Sequence, residues 1–244
     1  MKYVGFFLLG LLCIFSAYLA MLIVSTFFVD VSREYHSNSA YYRFLLHSST
    51  AIGLAILRVK VHINGKEKIP RGCRFMLVSN HRSNYDPIVT WHALRKYDLS
   101  FLSKADNFNI PVWGRLIRRC GFLAIDRSSP RSSVITINTA AEMMRENVVS
   151  FGVYPEGTRS KSCELLPFHE GVFMLARKAN APVVVLTVRG TEQIHKRYIR
   201  RRTHVYLDVL EVIPASEVEG LRTGEISERV RNEIYSSLEG QINV

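Results

Sequence analysis

The chain has 244 residues, 48% hydrophobic and 22% charged, and its 32 Lys and Arg against 21 Asp and Glu give a formal charge of +11. That composition excludes a disordered or low-complexity chain and supplies enough apolar material for a substantial core. The four cysteines, Cys13, Cys73, Cys120 and Cys163, form no CxxC pair, which excludes a zinc framework or a disulfide scaffold and points to a reducing compartment.

From Tyr3 to Val29 no side chain is charged. A bilayer core takes roughly 20 apolar residues in a helix, so this segment is long enough to span. A cleaved signal peptide is the competing reading, but its apolar part covers only about 7–15 residues. A polar, Ser-rich linker, Val31–Tyr42, leads to a second apolar stretch, Phe44–Leu57, interrupted by His47, Ser48, Ser49 and Thr50. It is too short to cross comfortably and reads as an interfacial or re-entrant helix, or as a core helix. Lys2 precedes the first segment while Arg33, Arg43, Arg58 and Lys60 follow it, a mild bias that places the main domain on the cytoplasmic side. Residues 1–57 are therefore expected to be membrane-anchoring helices, and residues 58–244 a separate globular domain.

Beyond Ile56 short apolar runs alternate with amphipathic stretches. Strands are predicted at Val59–Ile63, Arg74–Ser79, Leu99–Ser103, Phe122–Ile125, Val148–Tyr154, Val183–Val188 and Val205–Val212. Helices are predicted at Pro87–Tyr97, Val112–Cys120, Pro130–Glu146, Gly171–Ala179 and Glu225–Leu238. Asp86-Pro87 and Ser129-Pro130 each read as a helix cap followed by proline at the first helical position. Strands alternating with helices predict an α/β domain with a mixed, largely parallel sheet flanked by helices.

Three clusters carry the chemistry. In "LVSNHRSNYDP" His81 falls in a loop at the carboxyl end of a strand, the edge where ligands collect in open α/β sheets. Asp86 is either a helix cap or the partner that holds His81 Nδ1 and leaves Nε2 free as a base, and the two readings are compatible. No GxSxG elbow and no nearby cysteine supplies an enzyme nucleophile, so a His–Asp pair would act directly on a substrate hydroxyl. In "VYPEGTRS" a strand ends at Pro155, and Glu156, Gly157, Thr158, Arg159 and Ser160 follow. The loop is either an ordinary turn or a site for a ligand with both polyol and phosphate. In "GFLAIDR" a short strand delivers Asp126 and Arg127, a local ion pair or a guanidinium fork for phosphate. Further basic residues gather at Arg115, Arg118 and Arg119, at Arg131, and at Lys196, Arg197, Arg200, Arg201 and Arg202. Beside an apolar anchor such patches fit lipid and phosphate partners, and they lack any nucleic-acid-binding motif.

In order, NHxxxxD, GxxxIDR and PEGTRS resemble the glycerolipid acyltransferase family, in particular its 1-acyl-glycerol-3-phosphate acyltransferases. The resemblance runs from about Val59 to Thr191 and takes in Ser103-Lys104-Ala105 and "LLPFHEGVFMLA". It implies that His81 is the general base and Asp86 its orienting partner. It implies an acceptor site with Glu156, Gly157 and Thr158, and Lys104, Arg127 and Arg159 holding the acceptor phosphate. The expected reaction moves a fatty acyl group from acyl-CoA or acyl carrier protein to the free hydroxyl of lysophosphatidic acid at a lipid bilayer, giving phosphatidic acid, with no cofactor and no metal. Two departures bear on substrate choice. Val185 stands where the family's fourth block has a second proline after Pro182, and Phe168-His169-Glu170-Gly171 replaces the usual Phe-Lys-x-Gly. The alternatives are an acyltransferase for another lysophospholipid or lyso-amino-acid lipid, and an inactive lipid-binding relative.

Overall fold

The structure, a computed structural model, describes residues 2–126, 129–197 and 201–239. Helix α1 (Lys2–Phe27) leaves nearly all of its apolar side chains exposed and buries only Leu22, Ser25 and Thr26. Among the described residues it is the one helix long and apolar enough to cross a membrane. Helix α2 (Ala40–Ile56) runs antiparallel to it, tied by the Tyr18–Ser48 and Ser25–Tyr41 hydroxyl pairs. Its inner residues Leu45, Leu46 and Leu54 belong to the main core, so on that side α2 is a core helix. Its exposed Tyr41, Phe44 and Ile56 extend the apolar surface of α1. Arg43, buried in α2, donates to the carbonyls of Leu99 and Cys120 and lies 4.6 Å over the Trp91 ring. A buried guanidinium needs such partners to offset its desolvation, and these bind α2 to the globular part.

Seven strands follow: β1 (Val59–Asn64), β2 (Met76–Ser79), β3 (Leu99–Lys104), β4 (Leu123–Ile125), β5 (Ser150–Val153), β6 (Val183–Arg189) and β7 (Thr203–Ile213). They form one sheet in the order β1-β7-β6-β2-β5-β3-β4. Every pairing is parallel except β6 with β7, so β1 and β7 run against the other five. The expected mixed, largely parallel sheet is what forms. Every predicted strand is present, with ends shifted by a few residues. Helices α3 (Tyr85–Ala93), α4 (Trp113–Arg119), α5 (Pro130–Arg145), α6 (Met174–Ala179), α7 (Ile194–Arg197), α8 (Ala215–Gly220) and α9 (Thr223–Glu239) complete the fold. The sequence patterns missed α7 and α8, each too short to show a helical period.

Successive strand residues point to opposite faces, and both faces are covered. Leu77, Val184, Leu186 and Val188 pack with Val89 and Leu116 from α3 and α4 on the first face, together with α2. Met76, Val78, Phe151, Val183 and Val185 pack with Ile137, Leu175 and Ile234 from α5, α6 and α9 on the second. This double burial explains the near-continuous apolar reading of β2, β5 and β6. It also sets the site. The chain leaves β2 through α3 on the first face and leaves β5 through α6 on the second. The loops after these neighbouring strands therefore diverge and open a crevice at the carboxyl edge of the sheet.

Candidate active site

His81 follows β2, and the Glu156 loop follows β5, on the two sides of that crevice. Asn80 fixes the first loop by extending the sheet with its side chain. Its Nδ2 donates to the Val188 carbonyl at 3.0 Å and its Oδ1 accepts from the Val188 amide at 2.8 Å. His81 is then held through its backbone: its N–H donates to Glu156 Oε1 at 2.6 Å and its carbonyl accepts from the Ser160 amide at 2.8 Å.

The imidazole is held as firmly. Nδ1 lies 2.8 Å from Asp86 Oδ2. That oxygen also accepts the amides of Arg82 at 2.6 Å and Ser83 at 2.7 Å. Asp86 Oδ1 accepts the Thr191 hydroxyl. Asp86 is wholly buried, and a carboxylate there surrounded by donors acts as an acceptor only, so it accepts the hydrogen bond of Nδ1–H and leaves Nε2 with a free lone pair. Asp86 sits in the first turn of α3 rather than at its cap. Helical side chains lean toward the N-terminus, so its carboxylate reaches back to the loop amides, while Ser83 Oγ, one residue before the cap position, accepts the Tyr85 amide at 3.2 Å. The cap expected at Asp86 falls instead at Asn84, which makes no side-chain cap hydrogen bond.

The ring of Tyr154 stacks on His81 with centroids 4.3 Å apart. Burial, reinforced by the charge of Asp86, raises the Tyr154 phenol well above its usual range, so it stays neutral. Glu156 is 3% exposed, and its second oxygen accepts the Leu166 amide at 3.0 Å. Burial raises its carboxyl above the ordinary value, opposed by the two amides. Both oxygens are thereby committed to backbone amides, which makes Glu156 a brace between the two loops. Gly157 takes φ +67°, the left-handed region that favours glycine, and a Cβ there would also push aside the exposed His169 ring 2.8 Å away.

A cleft of about 650 Å³ opens at His81. Ile88, Ile110, Trp113, Ile117 and Phe122 give it an apolar wall, and Lys104, Thr158 and Arg159 a polar mouth. Lys104 is ion-paired with Asp106, whereas Arg159 is exposed at the rim. The site thus gathers His81, Asp86, Lys104, Thr158 and Arg159 about one cleft, with Glu156 and Gly157 forming the loop behind it. Arg127 lies outside the described residues. Asn80, Tyr154 and Thr191 were missed. The Asn of NHxxxxD was a legible signal, while Thr191 is about a hundred residues away in sequence and only the sheet order brings it near. No cysteine lines the cleft, and burial pushes the Cys120 thiol up to about 12, leaving it without a thiolate.

The sequence profile of the Acyltransferase family matches residues 60–189, which hold every element of this arrangement except Thr191. The chain is 36% identical over 136 residues to a chloroplastic 1-acyl-sn-glycerol-3-phosphate acyltransferase of Brassica napus, a match covering 55% of this chain and 39% of that protein. It is 27% identical over 187 residues to the Saccharomyces cerevisiae 1-acyl-sn-glycerol-3-phosphate acyltransferase, covering 75% and 61% respectively. The matched segment thus spans less than two thirds of either relative. The crystal structure of the 1-acyl-sn-glycerophosphate acyltransferase PlsC from Thermotoga maritima shares the fold, with a TM-score of 0.69 at 24% identity over 99% of this chain and 98% of that one. With the profile covering more than half of its length, and with its motifs assembled at one edge of the sheet, the chain belongs to the acyltransferase family.

Proposed function

We propose that the protein transfers a fatty acyl group from a thioester donor to the free hydroxyl of 1-acylglycerol 3-phosphate, giving phosphatidic acid for phospholipid synthesis. The observation that carries this reading is His81, whose Nδ1 is fixed on a buried carboxylate while its ring faces a cleft with an apolar wall and a cationic rim. Nε2 takes the hydroxyl proton as the oxygen attacks the thioester carbonyl. The C–O ester bond forms, the C–S bond breaks, and the imidazolium returns the proton to the departing thiolate. Asp86 stabilises the imidazolium and keeps the ring in the productive tautomer. Arg159, with Lys104 and Arg127, holds the acceptor phosphate, and the apolar wall takes acyl chain. Glu156 and Gly157 act by placing His81 and Arg159. No cofactor enters; acyl-CoA or acyl carrier protein is a substrate. The protein works at the bilayer, held by α1, with the globular domain in the cytoplasm.

The test is a product assay on membranes carrying the protein, crossing several lysolipids with acyl-CoA and acyl carrier protein donors, with His81→Ala as the control. Phosphatidic acid formed by the wild type and not by His81→Ala is expected. Turnover surviving in the variant would end the mechanism. Faster acylation of a different lysolipid would move the acceptor to the second reading, which the pairing of Lys104 with Asp106 favours.

A further inference from the structure

Gly152 stands inside β5, where a glycine weakens a strand and often marks a close approach. Its register partner on β3 is Phe101, and a Cβ on residue 152 would lie 2.4 Å from the Phe101 ring. That ring therefore lies across the bare backbone of β5. Tyr154 follows two residues later on the same face of the sheet. Its ring is parallel to that of Phe101, within 3° and with centroids 5.9 Å apart. The loop after β2, the next strand, then brings the His81 ring over Tyr154 at 4.3 Å and 21°. Because β3, β5 and β2 are neighbours, the sheet sets three rings in a row at roughly the spacing of its strands, about 4.8 Å.

The imidazole is thus held by an edge and by a face. Asp86 takes the Nδ1 edge at 2.8 Å and Tyr154 takes a face, which leaves the Nε2 edge for the cleft. The face of a phenol ring carries negative electrostatic potential and attracts a cation far more than a neutral ring. The attraction strengthens where water is excluded, and the His81 side chain is only 15% exposed. A ring at this distance stabilises the charge that His81 gains on taking a proton. In the proposed reaction that charge develops only as the hydroxyl proton is transferred. The contact is therefore stronger in the transition state than with the substrates merely bound, and it belongs in kcat rather than in KM.

We infer that Tyr154 is a positioning residue that acts through His81, fixing the plane of the imidazole and stabilising the imidazolium with its ring face. The inference rests on the reading of His81 as the base. Phenylalanines of graded fluorination, from mono- to pentafluorinated, are placed at position 154 of the full chain in membranes. Fluorine drains the negative potential of the ring face and nearly preserves its shape. The kcat for phosphatidic acid formation should fall stepwise along the series, ending about 5–30-fold below Tyr154→Phe, the worth of a cation–π contact out of water. Both KM values and the melt should stay as they are. Tyr154→Leu, which removes the face altogether, should lose a similar factor, and Tyr154→Phe should recover it; the fluorinated series decides the matter if Tyr154→Leu fails to fold. A flat kcat along the series overturns the role of the face and leaves the ring as packing. A rise in either KM at constant kcat overturns it too, because Tyr154 would then be a wall of the cleft and not a support of His81. His81→Ala keeps the two readings apart. Turnover surviving in it removes the base, and the inference with it, whereas lost turnover beside a flat series removes the inference alone.

Discussion

Glu156 separates two accounts of the loop after β5, because a residue that contacts the acceptor and one that braces His81 fail differently. In Glu156→Gln a single oxygen remains for the amides of His81 and Leu166, and the new NH₂ group faces the other. The lost bond is to a charged acceptor in a buried site and is worth about 1.5–3 kcal/mol. For a chain of this size that lowers Tm by roughly 3–12 °C. In the proposed mechanism the bond that fails first is decisive, since release of the His81 amide moves the loop carrying the proposed base. A displacement of about 1 Å at a catalytic group costs on the order of 100-fold, so kcat should fall about 10–100-fold with both KM values nearly unchanged. The pH dependence adds a second signature. Burial raises the Glu156 carboxyl in the folded chain, so its contribution to stability is fully present below the unfolded value of 4.5 and declines as pH rises through the raised value. The Gln variant lacks that decline. Steady-state kinetics with both substrates, alongside thermal melts across pH, check the argument. An unchanged kcat and Tm with a tenfold rise in the acceptor KM would refute the brace and restore Glu156 to the acceptor.

Asp86→Asn should lower kcat on the order of 10³–10⁴-fold, because an amide group presents hydrogens where donors already point and turns the imidazole to the wrong tautomer; kinetics in a variant with a wild-type melt decides it. Thr191→Val removes the hydroxyl from Asp86 Oδ1 without changing volume, and should cost roughly 1–3 kcal/mol and lower kcat while sparing both KM values. A melt and a progress curve suffice, and a pure KM effect would contradict it. His47 stacks on Trp91 with centroids 4.3 Å apart, and burial, with nearby Arg43, lowers its pKa to about 4 from 6.5. The unfolded chain then binds the extra proton first, so stability falls as pH drops from 6.5 toward 4. His47→Phe keeps the stack and should flatten that part of the stability curve, and an unaltered slope would remove His47 from it.

The strand pattern was readable because β2, β5 and β6 are buried on both faces and so appear as short unbroken runs of Val, Phe and Leu. What the runs do not encode is strand order or direction. β7 alternates buried and exposed residues along its first half, Val205, Leu207 and Val209 inward with His204 and Tyr206 outward, as an ordinary strand does whichever way it runs. Its antiparallel pairing with β6 is no more legible, because the connection of residues 190–202 is long enough for either a return or a crossover. The same limit applies to the site. His81 and Asp86 are five residues apart, and their hydrogen bond was foreseeable from the loop between them. Glu156 and Thr191 reach the pair only because β5 and β6 lie on either side of β2.

That placement also explains why one carboxylate could look like a helix cap and yet hold the His81 ring. The amides of Arg82 and Ser83 converge on Asp86 because the loop turns sharply between Asn80, pinned to Val188, and the start of α3. Those two amides would hold the carboxylate in place with the histidine absent. Asp86 is thus positioned by the backbone before it meets His81, and the imidazole docks on a fixed acceptor. Glu156 repeats the device one strand away, fixed by the Leu166 amide before it takes that of His81. Two carboxylates, each anchored from its own loop, hold the same histidine by ring and by backbone. A rotation of His81 that would spoil the angle at Nε2 must break a hydrogen bond to one of them, so the geometry of the ring is set by the strand order of the sheet rather than by the loop sequence alone.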